Sequence, residues 1–421
     1  MDESTIQRVR GIIDSYTAKG NGIPCLSCSI VDRTGASIFS HASGKLGVDS
    51  AESVTQTTLF WFASCTKLVT AIAAMQLVEQ AKVELDDGEE LEGWLHELKD
   101  KKVLVETDNG QLLQEEKNKN ITLRMLLSHT AGFGYSFSSA KLEKWSQAKG
   151  GIDELTSAHT DVFTQPLLNQ PDMKWEYGIN MDWVGLLVER VSGLSLAAYF
   201  QEHIFTPLGT SGLTFFPDVE HATLAQLSQR DEKGVVVARE GQFGHVLQSP
   251  FAAVSEEQRS KVLCAGGHGL YGTPTEYCKI LATILNHGVD PVGGARLLQA
   301  ATVEQMLENQ IPHQPNFARD LAPSAKPDIV SDDDETFSQP GDPPQGWGIS
   351  FFKLLADGPH GWRKGTVWWS GVANLVWWID MESGIAGMVA GQILPFGDDD
   401  FFNCQHEVES VVYEALVPRK A

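Results

Sequence analysis

The stretch Phe62-Ala63-Ser64-Cys65-Thr66-Lys67 opens an apolar run, Leu68, Val69, Ile72, Met75, Leu77 and Val78, whose three-and-four spacing predicts an amphipathic helix. Ser64 therefore stands at a helix start. Residues three apart on a helix carry Cβ atoms about 5–6 Å apart on one face, which brings the Lys67 amine within reach of the Ser64 hydroxyl. A serine hydroxyl is a poor nucleophile until a neighbour takes its proton, and a lysine with a depressed pKa can take it. The helix start adds backbone N–H donors and positive potential for a developing oxyanion. The same residues also read as an N-cap serine followed by a surface lysine, and the pattern alone does not separate the two.

Two further stretches stand out. In Trp175-Glu176-Tyr177-Gly178-Ile179-Asn180-Met181-Asp182-Trp183 a tyrosine sits in a turn just before a helix that ends near Ser192-Gly193. In Trp369-Ser370-Gly371-Val372-Ala373-Asn374 a strand ends in a glycine-containing edge, where a backbone N–H can face a bound carbonyl. Taken singly, the first is a packing tyrosine and the second a strand end or bulge.

In this order the three elements resemble the serine β-lactamase-like superfamily of class C β-lactamases, carboxypeptidase-type penicillin-binding proteins and related esterases. Among these the chain is most similar to the fungal lovastatin-type acyltransferases (transesterases), which pass a short branched acyl group to a polyketide alcohol. The likeness extends along nearly the whole chain, through Ile121-Thr122-Leu123-Arg124, Leu126-Leu127-Ser128-His129-Thr130-Ala131-Gly132, Val188-Glu189-Arg190, Gly266-Gly267-His268-Gly269, Trp362-Arg363-Lys364-Gly365 and Asn374-Leu375-Val376-Trp377. The resemblance implies Ser64 as the acylated nucleophile, with Lys67 and Tyr177 sharing the proton transfers. It implies an oxyanion hole made by the N–H groups of Ser64 and Val372, and a structural, hydrogen-bonding role for His129.

The departures from the family pattern carry information. Where β-lactamases have Lys-Thr-Gly this chain has Trp369-Ser370-Gly371, which removes the cation that pairs with a β-lactam or peptide carboxylate. The asparagine of Tyr-x-Asn is displaced to Asn180. Ser370 and Val372 stand where the lovastatin-type enzymes have glycines, so substrate shape near the oxyanion hole is expected to differ. Trp175, Asn180, Trp347, Trp369, Ser370 and Gly371 are the expected substrate-binding residues, although core packing is the commoner role of tryptophan.

The implied activity is serine-dependent acyl transfer through an acyl-enzyme, from an ester or thioester donor to an alcohol of a small, polyketide-type metabolite. Plain hydrolysis of small esters or lactones is the alternative, and a catalytically silent ligand-binding member is a third reading. No cofactor or metal is expected. Cys25-Leu26-Ser27-Cys28 looks like half a zinc site, but it lies in a strand-like run where residues three apart face opposite ways.

Working outward, the residues before and after these motifs supply a frame. A helical N-terminal segment is followed by strand-like runs Cys25 to Val31 and Ala36 to Ser40, and Gly346 to Leu354, Gly365 to Trp369, Asn374 to Ile379 and Ile385 to Gln392 read as strands near the other end. A last helix runs from about Gln405 to Leu416, before Pro418. Between them Thr122 to Leu127, Met181 to Val191, Leu196 to Ile204 and Pro274 to Leu285 have helical periodicity. The expected fold is α/β (α+β), β-lactamase/transpeptidase-like: an antiparallel sheet flanked by helices from residues 1–95 and 345–421, with a mainly helical, long-looped insertion over 96–344. The proline-rich, acidic segment Pro315 to Gln345, containing Ser331-Asp332-Asp333-Asp334-Glu335, is expected to be a solvated, disorder-prone excursion.

Charge narrows the partners. Thirty-two basic against 55 acidic side chains give a net charge of −23, a field that repels nucleic acid and anionic membranes. No secretory signal or span of about 20 apolar residues is visible, so a soluble, cytoplasmic protein with free thiols is expected. A carrier-protein thioester donor would require a local basic patch, for which Lys99, Lys101, Lys102, Lys117 and Lys119 are the candidates.

Overall fold

The computed structural model describes residues 1–156, 159–218, 220–319, 322–332 and 341–417. Asp333 to Glu335 of the acidic run, and Pro418, lie outside the described residues.

Both ends of the chain build one sheet. β1 (Cys25–Asp32) and β2 (Ser37–Gly44) form a hairpin near the N-terminus, and β3 (Gln345–Trp347), β4 (Phe352–Leu354), β5 (Val367–Gly371), β6 (Leu375–Asp380) and β7 (Ile385–Ala390) follow near the C-terminus. Their spatial order is β2-β1-β7-β6-β5-β4-β3, antiparallel throughout. β1 thus pairs directly with the last strand, Cys28 opposite Val389. Every residue of β5, β6 and β7 is buried. That explains why these strands read as continuous apolar runs rather than as alternating ones.

Five helices position the site: α1 (Glu3–Ala18), α2 (Thr66–Glu79), α3 (Asn180–Ser192), α4 (Pro274–Leu285) and α5 (Asp399–Leu416). α4 starts with Pro274 behind the Thr273 cap, whose hydroxyl takes the Glu276 N–H, and packs on β1, β6 and β7. α1 packs on β1 and β2 and against α5. α3 ends at Gly193, in the left-handed region at φ +75°, and packs on α2.

One expectation is corrected. α2 is not amphipathic: every residue from Thr66 to Leu77 is buried, so it has no solvent face until its last turn. Across the expected boundaries at residues 95 and 345, α2 lies against α3, and α4 covers the sheet. One apolar core runs through both parts. The described part of the acidic excursion is held down, with Phe317 and Ile329 buried and Lys326 paired with Glu143 at 3.2 Å and Asp153 at 2.5 Å. The sequence reading also missed a hairpin in the insertion, Lys102–Glu106 with Leu112–Glu116. Among the described residues no single helix is long and apolar enough to cross a membrane.

Candidate active site

The chain enters α2 through a strained step. Ala63, just before Ser64, takes φ +44°, a left-handed conformation that costs a non-glycine residue about 1–2 kcal/mol. Neighbouring hydrogen bonds hold it: Phe62 N–H donates to Leu270 O at 2.9 Å, Thr66 Oγ1 to Ala63 O at 2.7 Å, and Leu270 N–H to Thr66 Oγ1 at 3.0 Å. The result is that Ser64 is part-exposed while the residues on either side of it are buried. The helix that follows has no side-chain cap, so the N-cap reading of Ser64 is excluded.

Lys67, one turn on, is fully buried, with Nζ 3.0 Å from Ser64 Oγ, 3.2 Å from Tyr135 Oη and 2.8 Å from Gly267 O. Burial drives its pKa down to about 7, against the opposing pull of the Asp182 carboxylate. Tyr177 Oη donates to Ser64 Oγ at 2.7 Å from the other side. Burial pushes the Tyr177 phenol well above its ordinary value, so it stays protonated and able to donate. Lys67 and Tyr177 therefore both reach the Ser64 hydroxyl, and Lys67 Nζ lies over the Tyr177 ring, 4.7 Å from its centroid.

The Tyr177 ring is wedged on every side. His129 lies 4.8 Å away between ring centroids, Tyr135 5.1 Å, Trp369 5.0 Å, and Trp175 stacks at 6.0 Å. Trp369 Nε1 donates to Tyr177 Oη at 3.2 Å. The indole at the position where the sequence resemblance leads one to expect a lysine is thus used on the phenol. His129 is fully buried and held neutral by burial, with the Lys67 charge adding to the effect. Its Nδ1 accepts from Asn180 Nδ2 at 2.9 Å and from Gly178 N–H at 3.4 Å, which fixes the turn carrying Tyr177.

At the far edge, Gly371 ends β5 against the nucleophile segment. A Cβ there would come within 2.6 Å of Phe62 O, so only glycine permits the approach. Val372 follows, part-exposed, in a turn pinned by Asn374, whose Nδ2 donates to Ile393 O at 2.9 Å and Pro395 O at 2.8 Å.

Two of the expected substrate-binding residues lie away from the surface. Asn180 has no exposed surface, and its Nδ2 faces His129 Nδ1, Phe133 O and Glu176 O. Trp347 is also fully buried, with Nε1 donating to Leu127 O at 3.2 Å. Trp175 and Trp369 reach the site mainly as walls of Tyr177, and Ser370 is buried in β5 next to Gly371. Of the candidate basic patch, Lys99 is exposed. Lys101 is buried on Phe163 O and Gln165 O, while Lys102, Lys117 and Lys119 pair with Glu116, Glu92 and Asp172.

Three groups around Lys67 escaped the sequence reading: Tyr135, the Gly267 carbonyl and Asp182. Tyr135 had a faint signal in its place directly after the Gly132-Phe133-Gly134 turn, and Gly267 lies in a quoted motif, but nothing local ties either to Lys67.

Comparison with known proteins matches residues 13–403 to the Beta-lactamase family model. The chain belongs to the beta-lactamase family. Within this family it is 31% identical to the lovastatin esterase of Penicillium rubens over 91% of this chain and 92% of that one. It is 30% identical to the monacolin J acid methylbutanoyltransferase of Aspergillus terreus, over 83% and 81% respectively. A mutant of simvastatin synthase from Aspergillus terreus superposes with a TM-score of 0.77 at 26% identity, covering 98% of this chain and 96% of the other. This beta-lactamase family member is an enzyme of the acyltransferase and esterase group, with the expected β-lactamase/transpeptidase-like fold.

Proposed function

We propose that the enzyme moves an acyl group from an ester or thioester to an alcohol of a small, polyketide-type metabolite, by way of an acyl-enzyme on Ser64. The observation that carries this reading is the set of partners around Lys67 Nζ. A neutral amine has two N–H groups and one lone pair. Gly267 O and Tyr135 Oη take the two N–H groups, which leaves the lone pair for the Ser64 hydroxyl.

As Ser64 Oγ bonds to the acyl carbon, its proton passes to Lys67 Nζ, and the acyl oxygen becomes an oxyanion facing the N–H groups of Ser64 and Val372. The bond to the leaving oxygen or sulfur then breaks. Tyr177 Oη gives that atom a proton and recovers one from the Lys67 ammonium. In the second half the acceptor alcohol attacks the acyl carbon, loses its proton to the Tyr177–Lys67 pair, and Ser64 Oγ departs reprotonated. No step calls for a cofactor. Replacement of the alcohol by water gives hydrolysis, a reading favoured by the likeness to an esterase.

Intact-mass measurement with p-nitrophenyl butyrate, followed by addition of a polyketide-type alcohol, tests the proposal. The expected result is one acyl adduct on the Ser64 peptide and p-nitrophenol release that accelerates with acceptor, with the new ester as product. Release indifferent to acceptor makes the enzyme a hydrolase, and absence of an adduct rejects both readings.

A second prediction concerns β-lactams. With Trp369 hydrogen-bonded to Tyr177 where the family has a lysine, one charge-assisted bond to the substrate carboxylate, worth about 1.5–3 kcal/mol, is missing. Penicillins are expected to turn over at least about 10–100-fold more slowly than the best ester in parallel kcat/KM assays. Comparable rates would contradict this. We also assign the enzyme to the cytoplasm, a reading supported by six buried, unpaired cysteines.

A further inference from the structure

Lys67 Nζ is held from behind by a carbonyl in a glycine turn, and that turn is itself held. Gly267 O takes the Lys67 N–H at 2.8 Å, and on the other side of the same residue the Gly267 N–H donates to Asp182 Oδ1 at 2.9 Å. Asp182 lies in the first turn of α3, two residues past Asn180, and its side chain has no exposed surface. The turn is pressed hard against α3. A Cβ on Gly266 would come within 2.6 Å of Met181 O, and one on Gly267 within 2.7 Å of Asp182 Oδ2. Thr70 Oγ1, one turn beyond Lys67 on α2, donates to Gly266 O at 2.7 Å and ties the turn to the same helix. The two glycines are thus explained by contact with α3 and α2.

The mechanism leaves the Asp182 carboxylate unused. Oδ2 is buried and has no hydrogen-bond partner among the described residues, and Oδ1 has His268 Nδ1 at 3.8 Å besides the Gly267 N–H. A buried carboxylate so thinly partnered is costly unless its charge serves a neighbour. The neighbouring cation is Lys67, one peptide unit away.

We propose that Asp182 is a positioning residue for Lys67, anchoring Gly267 by its N–H so that the carbonyl of the same residue, in the following peptide unit, fixes Nζ against Ser64 Oγ. This rests on the assignment of Lys67 as the base. The link is Gly267 itself: Asp182 holds its N–H and Thr70 holds Gly266 O, which fixes the Gly266–Gly267 peptide and so sets the direction in which the next peptide presents Gly267 O to Lys67. The charge also acts through space. Burial lowers the Lys67 pKa, and the Asp182 carboxylate opposes the effect, which keeps the amine a competent base near neutrality. The other groups facing Nζ are Cys65 on the same segment, Tyr135 and Tyr177 with phenols raised by burial, and His129 and His268 with imidazoles lowered by burial. None of these carries a negative charge near neutral pH.

Asp182→Asn keeps the size of the side chain and an oxygen for the Gly267 N–H but removes the charge. Because a carboxylate favours the ammonium form, its loss favours the neutral amine. The ascending limb of kcat/KM against pH is therefore expected to move to lower pH by about one unit or more. Asp182→Ala removes the acceptor as well, and kcat is expected to fall about 10- to 100-fold with KM little changed, as the base loses its alignment. Circular dichroism of both variants, and active-site titration with p-nitrophenyl butyrate, restrict the comparison to folded, acylatable enzyme. Wild-type kcat in Asp182→Ala overturns the clamp, and a limb that stays in place in Asp182→Asn overturns the action of its charge on Lys67; both leave the base assignment standing. A wild-type profile without an ascending limb near pH 7 overturns the base assignment, and the clamp with it.

Discussion

Alanine at position 64 is expected to abolish acyl-enzyme formation and lower ester turnover by at least about 10⁴-fold, without unfolding the protein. The two halves of this expectation have separate grounds. The rate falls because Ser64 Oγ is the atom on which both Lys67 Nζ and Tyr177 Oη converge. The fold survives because Ser64 caps no helix and is part-exposed, so the stability change should stay within about 0.5 kcal/mol. Thermal unfolding and intact mass after incubation with an activated ester check the two halves. A Ser64→Ala enzyme that still acquires a stable acyl group would remove Ser64 from the mechanism.

The second large effect belongs to the proton-transfer pair. Tyr177→Phe keeps the ring that packs against His129, Trp175 and Trp369 but deletes the hydroxyl, and should cost about 10²–10⁴-fold in kcat. Lys67→Met keeps a long unbranched chain in the buried slot and should cost as much or more. Because Ser64 Oγ needs both partners to give and regain one proton, the double variant should be little slower than the slower single one. With the Lys67 pKa at about 7, wild-type kcat/KM should rise with pH through neutrality as the amine loses its proton, and this limb should vanish in Lys67→Met. Additive losses in the double variant would mean that Lys67 and Tyr177 act on separate steps. A near-normal acylation rate in Tyr177→Phe would make its turn purely structural.

What the sequence made legible was what local spacing encodes. Ser64 and Lys67 are one helical turn apart, so their meeting follows from helix geometry. The runs Leu375 to Ile379 and Ile385 to Ala390 are apolar enough to read as buried strands, and Pro274 marks the start of α4. The contacts that escaped are set by tertiary packing. Whether Asn180 faces a cleft or a histidine depends on where His129 lies. Lys101 looks like any surface lysine until Phe163 and Gln165 carbonyls enclose its amine. The all-round burial of α2 was missed for the same reason, since Thr66, Thr70 and Gln76 read as a polar face yet bond to Ala63, Gly266, His203 and Leu297 carbonyls. Asp182, in a motif already quoted for its tyrosine, offered no sign that its partner would be a glycine amide in another part of the chain.

The order of strands in the sheet also has a consequence for the life of the protein before it is complete. β1 finds its second neighbour only in β7, and the turn bearing Val372 reaches the Ser64 segment only when β5 and β6 have been laid beside β7. On the ribosome, Ser64 and Lys67 emerge long before these strands do. A nascent chain therefore carries its nucleophile without the strand edge that completes the site.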